Sequence, residues 1–118
     1  MSVAVDRQIA KAKRPRSKYH AKACIIDGVR FASHREGTRY LELSLAQKIG
    51  EIHGMELQPV FPIVVNGLKI CDYRGDFRYI VTATGEVITE DVKGLRLPVY
   101  ALKAKLVRAV HRVVITEV

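Results

Sequence analysis

The sequence is poor in the residues on which small disulfide-bonded or zinc-bound domains depend. Its 118 residues include two cysteines, Cys24 and Cys71, which form no CxxC pair. A disulfide framework is therefore not expected, and the thiols are interpreted as reduced, as in a cytoplasmic protein. The four histidines also show no paired ligand spacing, so a structural zinc site is not predicted.

Long apolar runs and several well-known catalytic motifs are also absent from the sequence. No run approaches the roughly 18 apolar residues that a membrane helix needs, and the basic start of the chain lacks the apolar segment of a signal peptide. There is no glycine-rich phosphate loop and no nucleophilic serine motif. We therefore expect a cytoplasmic protein that uses neither a membrane nor a nucleotide cofactor.

Acidic residues are scarce beside basic ones, 12 against 20, which gives a formal net charge of +8. Residues 1–22 hold seven basic residues and one acid, so we predict a flexible basic arm there and a single domain over residues 23–118. The arm either contacts nucleic-acid phosphates or serves as a solvated tail. The residues assigned to nucleic-acid binding are Lys11, Lys13, Arg14, Arg16, Lys18 and Lys22.

Turn and cap signals predict alternating helices and strands, which indicates an α/β fold. Asp27-Gly28 and Asn66-Gly67 are typical of the tight turns of β-hairpins. Ser33 predicts the start of a helix that runs to about Ile49.

The helices carry apolar stripes that indicate their buried sides. In the first helix Leu41, Leu45 and Ile49 form one stripe, and Tyr40 with Leu43 forms another, so we expect this helix to be covered on more than one side. A second helix is predicted from Pro98, with Val99, Leu102 and Leu106 at helical spacing. A short strand over residues 113–115 is predicted to end the fold.

Two strands organise the chain, over residues 75–81 and 87–94, with Thr84-Gly85 as the turn between them. Because side chains alternate along a strand, Asp91 and Lys93 share one face and Glu90 is left outside the site. Asp76 brings a second carboxylate to the same end. Carboxylate oxygens are the ligands of hard divalent cations, so this corner suggests a phosphodiesterase metal site, although a surface pair between Asp91 and Lys93 is the plainer alternative.

These residues resemble the PD-(D/E)XK nuclease superfamily, whose restriction-endonuclease-like core runs helix, three-stranded meander, helix, strand. Gly75-Asp76 stands at the first motif and Asp91-Val92-Lys93 at the second, while Gly75 replaces the motif proline. Over residues 18–117 the chain also looks like a small group of phage-encoded nuclease-like proteins. The segments that carry this narrower resemblance are Ser33-x-x-Glu36, Leu57-Gln58-Pro59, Asp76-Phe77-Arg78-Tyr79 and residues 90–94.

The resemblance implies an α-β-β-β-α-β fold, a mixed β-sheet with a β-meander flanked by helices, and a site for Mg²⁺ or Mn²⁺. Asp76 and Asp91 are the expected ligands, with the backbone carbonyl of Val92 implied by the family pattern. Glu36 falls where many members carry a helical acid, but a capping box with Ser33 explains it equally well.

Two further side chains are assigned supporting roles. Neighbouring carboxylates favour the charged form of Lys93, so we assign it to orienting the attacking water and stabilising transition-state charge. Gln58 either orients a ligand or simply ends a strand.

The expected function is that of a magnesium-dependent DNA endonuclease, encoded by a phage and located in the host-cell cytoplasm. A homodimer is expected, because cutting two strands requires two sites. Resemblance to junction resolvases makes branched DNA, such as a Holliday junction, the first substrate to consider. The alternative is a non-catalytic basic nucleic-acid-binding protein whose acidic corner is a structural ion-pair cluster.

Overall fold

Helices and strands alternate along the chain as the turn signals predict. The computed structural model of the protein describes residues 22–92 and 97–118, and the predicted α/β class is confirmed. The helices of this part of the chain are α1 (His34–Lys48) and α2 (Pro98–His111). Its strands are β1 (Cys24–Ile26), β2 (Val29–Phe31), β3 (Ile52–Leu57), β4 (Val60–Val65), β5 (Leu68–Arg74), β6 (Phe77–Val81), β7 (Val87–Asp91) and β8 (Ile115–Glu117).

The chain divides into two compact units, Met1–Glu42 and Leu43–Val118, with the boundary inside α1. In the first unit β1 and β2 form the predicted hairpin, and Asp27 and Gly28 both have positive φ, +52° and +78°, as a tight hairpin turn requires. Gly37 of α1 lies so close to β1 that a Cβ atom there would come 2.6 Å from the Cys24 Sγ. The hairpin therefore packs against α1 where that helix has no side chain. The prediction of a separate arm over residues 1–22 falls almost wholly outside the described residues.

Helix α1 begins and ends close to where its sequence signals predict. The Glu36 N–H donates to the Ser33 Oγ at 3.1 Å, the N-cap bond expected of serine, and Gly50 stops the helix with φ of +87°. The prediction that α1 is covered on more than one side is wrong. Leu43 is buried, but the stripe of Leu41, Leu45 and Ile49 is exposed. Side chains two residues apart on a helix point about 200° away from each other, so Leu41 and Leu45 point away from the side that buries Leu43.

The second unit contains a four-stranded mixed sheet in the order β3-β6-β7-β8. The β3–β6 and β6–β7 pairs are antiparallel, whereas β7 and β8 are parallel and joined through α2, as a parallel pair requires. The sequence pattern does not predict β3, because Gly54 interrupts it with φ of +66° and the register shifts between His53 and Glu56.

Strands β4 and β5 form a separate hairpin whose Asn66-Gly67 turn confirms the prediction. Its inner residues pack with α2 in a buried core of Phe61, Ile63, Tyr73, Tyr100 and Val107. The predicted buried face of α2 is wrong for Val99 and Leu102, which are exposed, whereas Leu106 is partly buried and packs against this core. Helix α2 instead presents its aromatic residue to the hairpin, because the aromatic side chain has more apolar surface to bury. The final strand is β8, which begins at Ile115, two residues later than predicted.

Candidate active site

Asp76 is held in place just before β6 by both its backbone and its side chain. Its carboxylate Oδ2 accepts a hydrogen bond from the Val92 N–H at 2.7 Å. Its own N–H donates to the Glu90 carbonyl at 3.0 Å, and its carbonyl accepts from the Gln58 N–H at 2.9 Å. Asp76 is therefore fixed between the end of β7 and the connection from β3 to β4.

A backbone hydrogen bond accounts for glycine rather than proline at position 75. The Gly75 N–H donates to the Pro59 carbonyl at 2.9 Å, and proline has no N–H to donate. The residue is buried, and a Cβ there would lie 3.4 Å from the Thr89 Cγ2. Glycine thus lets the chain preceding Asp76 pass close to β7 and still bond to Pro59.

Asp91 lies beside Asp76 at the end of β7. Asp76 directly precedes Phe77, which pairs with Glu90, the residue before Asp91. The two acids therefore lie at the same end of the β6–β7 pair, and both act electrostatically on the Tyr73 hydroxyl. Asp91 is only 3% exposed, and its Oδ2 accepts a hydrogen bond from the Tyr73 hydroxyl. We call Asp76 and Asp91 the carboxylate pair.

The Tyr73 hydroxyl lies within the field of both members of the carboxylate pair. Burial, followed by the hydrogen bond to Asp91, raises the pKa of Tyr73 far above its ordinary value. The charge of Asp91 and smaller contributions from Tyr100 and Asp76 act in the same direction. Tyr73 consequently remains protonated at neutral pH and acts as a hydrogen-bond donor.

Tyr73 and Glu117 are members of this region that sequence reasoning missed. Glu117 of β8 is the register partner of Asp91, and its Oε2 accepts a hydrogen bond from the Tyr100 hydroxyl at 2.9 Å. Tyrosines such as Tyr73 and Tyr100 usually pack in a core or stack on bases, so their residue type alone does not point to this site. No sequence signal pointed to Glu117, whose place depends on the parallel pairing of β7 with β8.

Glu90 lies on the opposite face of β7, as strand alternation predicts. It is 1% exposed and accepts a hydrogen bond from the Tyr79 hydroxyl. Two adjacent acids of β7 are therefore both buried, each with a tyrosine donor, because this central strand is covered on both faces.

Of the other predicted site residues, the structure describes Glu36, Gln58 and Lys22. Glu36 belongs to the first unit, where its N–H donates to the Ser33 Oγ that caps α1. Gln58 has φ of +51° and an exposed side chain, so its backbone contacts Asp76 while its side chain faces solvent. Lys22 is exposed. The predicted site residues that lie outside the described ranges are Lys93, Lys11, Lys13, Arg14, Arg16 and Lys18.

The carboxylate pair fits a magnesium site by donor chemistry. Across residues 22–92 and 97–118, no group of three or more His, Cys, Asp or Glu side chains is arranged to hold a metal ion. Magnesium, however, is usually bound through one or two carboxylates together with waters and substrate phosphates rather than by an all-protein cage. The oxygens of Asp76 and Asp91 are therefore the described groups that could hold Mg²⁺ or Mn²⁺, with waters completing the coordination.

Comparison with known proteins gives a family without an assigned activity. No curated protein and no solved structure matches the chain. Within the described ranges, no helix is long and apolar enough to cross a membrane. The family described as "Protein of unknown function (DUF1064)" matches residues 16–117, which is most of the chain, and the protein belongs to that family.

Proposed function

We propose that the protein is a divalent-metal-dependent DNA endonuclease of the PD-(D/E)XK type. The observation that carries this proposal is the carboxylate pair, in which Asp76, just before β6, and Asp91, at the end of β7, both act on the buried Tyr73 hydroxyl. Convergent carboxylates with a perturbed neighbour are what a catalytic metal site requires.

The order of the elements supports the same assignment. Leaving out the β1–β2 and β4–β5 hairpins, the chain runs α1, β3, β6, β7, α2, β8, with β8 parallel to β7. This order is similar to the helix, three-stranded meander, helix, strand order of a restriction-endonuclease-like core, and the similarity supports the proposal. In this proposal the β4–β5 hairpin is an insertion between the first two core strands.

Each site residue has a defined role in the proposal. The carboxylates of Asp76 and Asp91, with the Val92 carbonyl, would hold Mg²⁺ or Mn²⁺. The bound cation would lower the pKa of a coordinated water and neutralise charge on the phosphate. Lys93 would orient the attacking water and stabilise the charge that develops on the phosphate oxygens. Glu36 remains a candidate third carboxylate, and the Gln58 backbone supports Asp76.

The proposed substrate is DNA, held in part by the basic residues of the segment 1–22. A homodimer would supply two sites for a branched substrate such as a Holliday junction. The proposed setting is the cytoplasm of a phage-infected host cell.

A non-catalytic nucleic-acid-binding protein is the second candidate. The observation that favours it is that Asp76 and Asp91 already accept hydrogen bonds from protein donors, so they fit a purely structural network as well. Both candidates bind DNA, and only one requires a metal to act on it.

The deciding experiment measures cleavage of linear, flapped and four-way DNA with Mg²⁺, with Mn²⁺ or with a chelator. Asp76→Asn, Asp91→Asn and Lys93→Ala are each expected to reduce cleavage by at least about 100-fold while DNA binding remains. Asp72→Asn is the matched control, because Asp72 is exposed on β5 and paired with Lys69 at 3.1 Å. It should cleave like the wild type.

Two results would contradict the proposal in different ways. Wild-type protein that binds every substrate but cleaves none with either metal would favour the non-catalytic candidate. Cleavage that survives Asp76→Asn and Asp91→Asn would leave a nuclease whose site lies elsewhere.

A further inference from the structure

The aromatic ring of Tyr73 is held in place by packing that does not involve Asp91. Tyr73 is the penultimate residue of β5, faces the core and is 3% exposed. Its ring centroid lies 6.1 Å from that of Phe61 and 6.4 Å from that of Tyr100. Close packing with these two rings leaves the Tyr73 ring little freedom to move. The β4–β5 hairpin and α2 therefore fix the position of the hydroxyl.

The fixed hydroxyl in turn fixes one oxygen of a buried carboxylate. Tyr73 donates to the Asp91 Oδ2, and a donor on one oxygen restricts rotation of the carboxylate plane. Outer-shell hydrogen bonds of this kind orient metal-ligating carboxylates and affect metal affinity. The donor comes from the hairpin, which contributes no ligand to the proposed site.

We infer that Tyr73 is a positioning residue, delivered by the β4–β5 hairpin, which orients the Asp91 carboxylate toward a divalent cation. This inference rests on the proposed function, because it assigns Tyr73 a role in the same metal site. The hairpin then has a role of its own, since it braces the metal-binding strand from outside the four-stranded sheet.

The chain provides a matched control for this role. Tyr79 donates to the buried Glu90 from the neighbouring strand, on the other face of the sheet. Tyr73→Phe and Tyr79→Phe each remove one buried phenol bond to an acid, at a cost of similar size. Only Tyr73→Phe removes a bond to a member of the carboxylate pair. A loss of Mn²⁺ affinity common to both variants is a structural effect, whereas a loss of Mn²⁺ affinity found only in Tyr73→Phe reports on the proposed metal site.

The test is a titration of the full chain with Mn²⁺, with binding followed by calorimetry and DNA cleavage followed in parallel. Tyr73→Phe is expected to weaken Mn²⁺ binding about 10- to 100-fold. Saturating Mn²⁺ should recover most of the lost kcat, and the KM for DNA should not change. Tyr79→Phe should bind Mn²⁺ like the wild type.

Each possible outcome decides a different point. Equal Mn²⁺ affinity in Tyr73→Phe and wild type, or equal losses in the two tyrosine variants, would overturn the positioning role and leave the nuclease proposal standing. Wild-type protein that binds no Mn²⁺ would overturn the nuclease proposal, and the positioning role with it.

A second measurement covers the case in which Tyr73→Phe fails to fold. Wild-type protein labelled with ¹³C at the tyrosine Cζ carbons is titrated with Mn²⁺. The five tyrosine signals are assigned with single Tyr→Phe variants at positions 19, 40, 79 and 100, which leaves the remaining signal to Tyr73. The Tyr73 signal should broaden before that of Tyr79. Equal broadening of the two signals would overturn the inference.

Discussion

We expect the free energy of unfolding to decrease in alkaline solution because the Tyr73 hydroxyl is buried. Its pKa is raised above the ordinary value of 10.0 by burial first and by the bond to Asp91 second. Above pH 10 the unfolded chain therefore releases a proton that the folded chain retains. Stability linked to Tyr73 is complete below pH 10 and is lost as the pH rises above it.

The magnitude follows from one retained proton. Each pH unit beyond the unfolded pKa costs about 1.36 kcal/mol per proton, so between pH 9 and pH 11 the linked loss is about 1.4 kcal/mol. At neutral pH the Tyr73→Phe variant should be less stable than the wild type by about 1.5–3 kcal/mol, the usual worth of a hydrogen bond to a charged group. The difference between the two proteins should therefore narrow by about 1.4 kcal/mol at pH 11.

Urea unfolding at pH 7, 9, 10 and 11, with a chelator present, measures this difference directly. The other tyrosines titrate in both proteins, so their contribution cancels in the comparison. A wild-type advantage that stays constant to pH 11 would refute the reasoning, because it would mean that Tyr73 titrates alike in the folded and unfolded chains. Equal free energies of unfolding for the wild type and Tyr73→Phe at pH 7 would contradict the claim that the hydrogen bond from Tyr73 to Asp91 stabilises the fold.

Two further predictions concern the first unit and the basic segment. Gly37→Ala should lower the free energy of unfolding by up to about 2 kcal/mol despite better helix propensity, because its Cβ would lie 2.6 Å from the Cys24 Sγ. Thermal unfolding tests this prediction, and adding Cys24→Ala should restore part of the lost stability. If it restores none, the contact between position 37 and Cys24 is not the cause of the loss. Removing residues 1–22 should weaken DNA binding and reduce the slope of log affinity against log salt by about 0.9 for each phosphate that the segment neutralises. An unchanged salt slope would assign the segment to solubility.

The two faces of β7 show what strand alternation can and cannot predict. Alternation correctly separated Asp91 from Glu90, because it depends only on backbone geometry. It could not indicate that both acids are buried, since burial depends on what covers each face. The two tyrosine donors come from β5 and β6, at separations of 18 and 11 residues.

Local signals determined much of the fold before any packing was known. The turns at Asp27-Gly28 and Asn66-Gly67, and the cap at Ser33, follow from backbone preferences and short-range hydrogen bonds. These features involve neighbouring residues only, so the sequence is sufficient to predict them. The Thr84-Gly85 turn also allowed the prediction that Asp76 and Asp91 lie at the same end of the two strands.

Tertiary packing decided which side of α2 is buried and which distant residues contact Asp91. Helix α2 has apolar residues on more than one side, and contact with the β4–β5 hairpin selected Tyr100 and Val107 over Val99. The bond from Tyr73 to Asp91 and the pairing of Asp91 with Glu117 join strands that are distant in the sequence. The sequence by itself therefore determined that Asp76 and Asp91 stand at one corner of the sheet. Only the tertiary structure decided that the Tyr73 hydroxyl holds Asp91 and that Glu117 lies beside it, because both arrive through long-range packing.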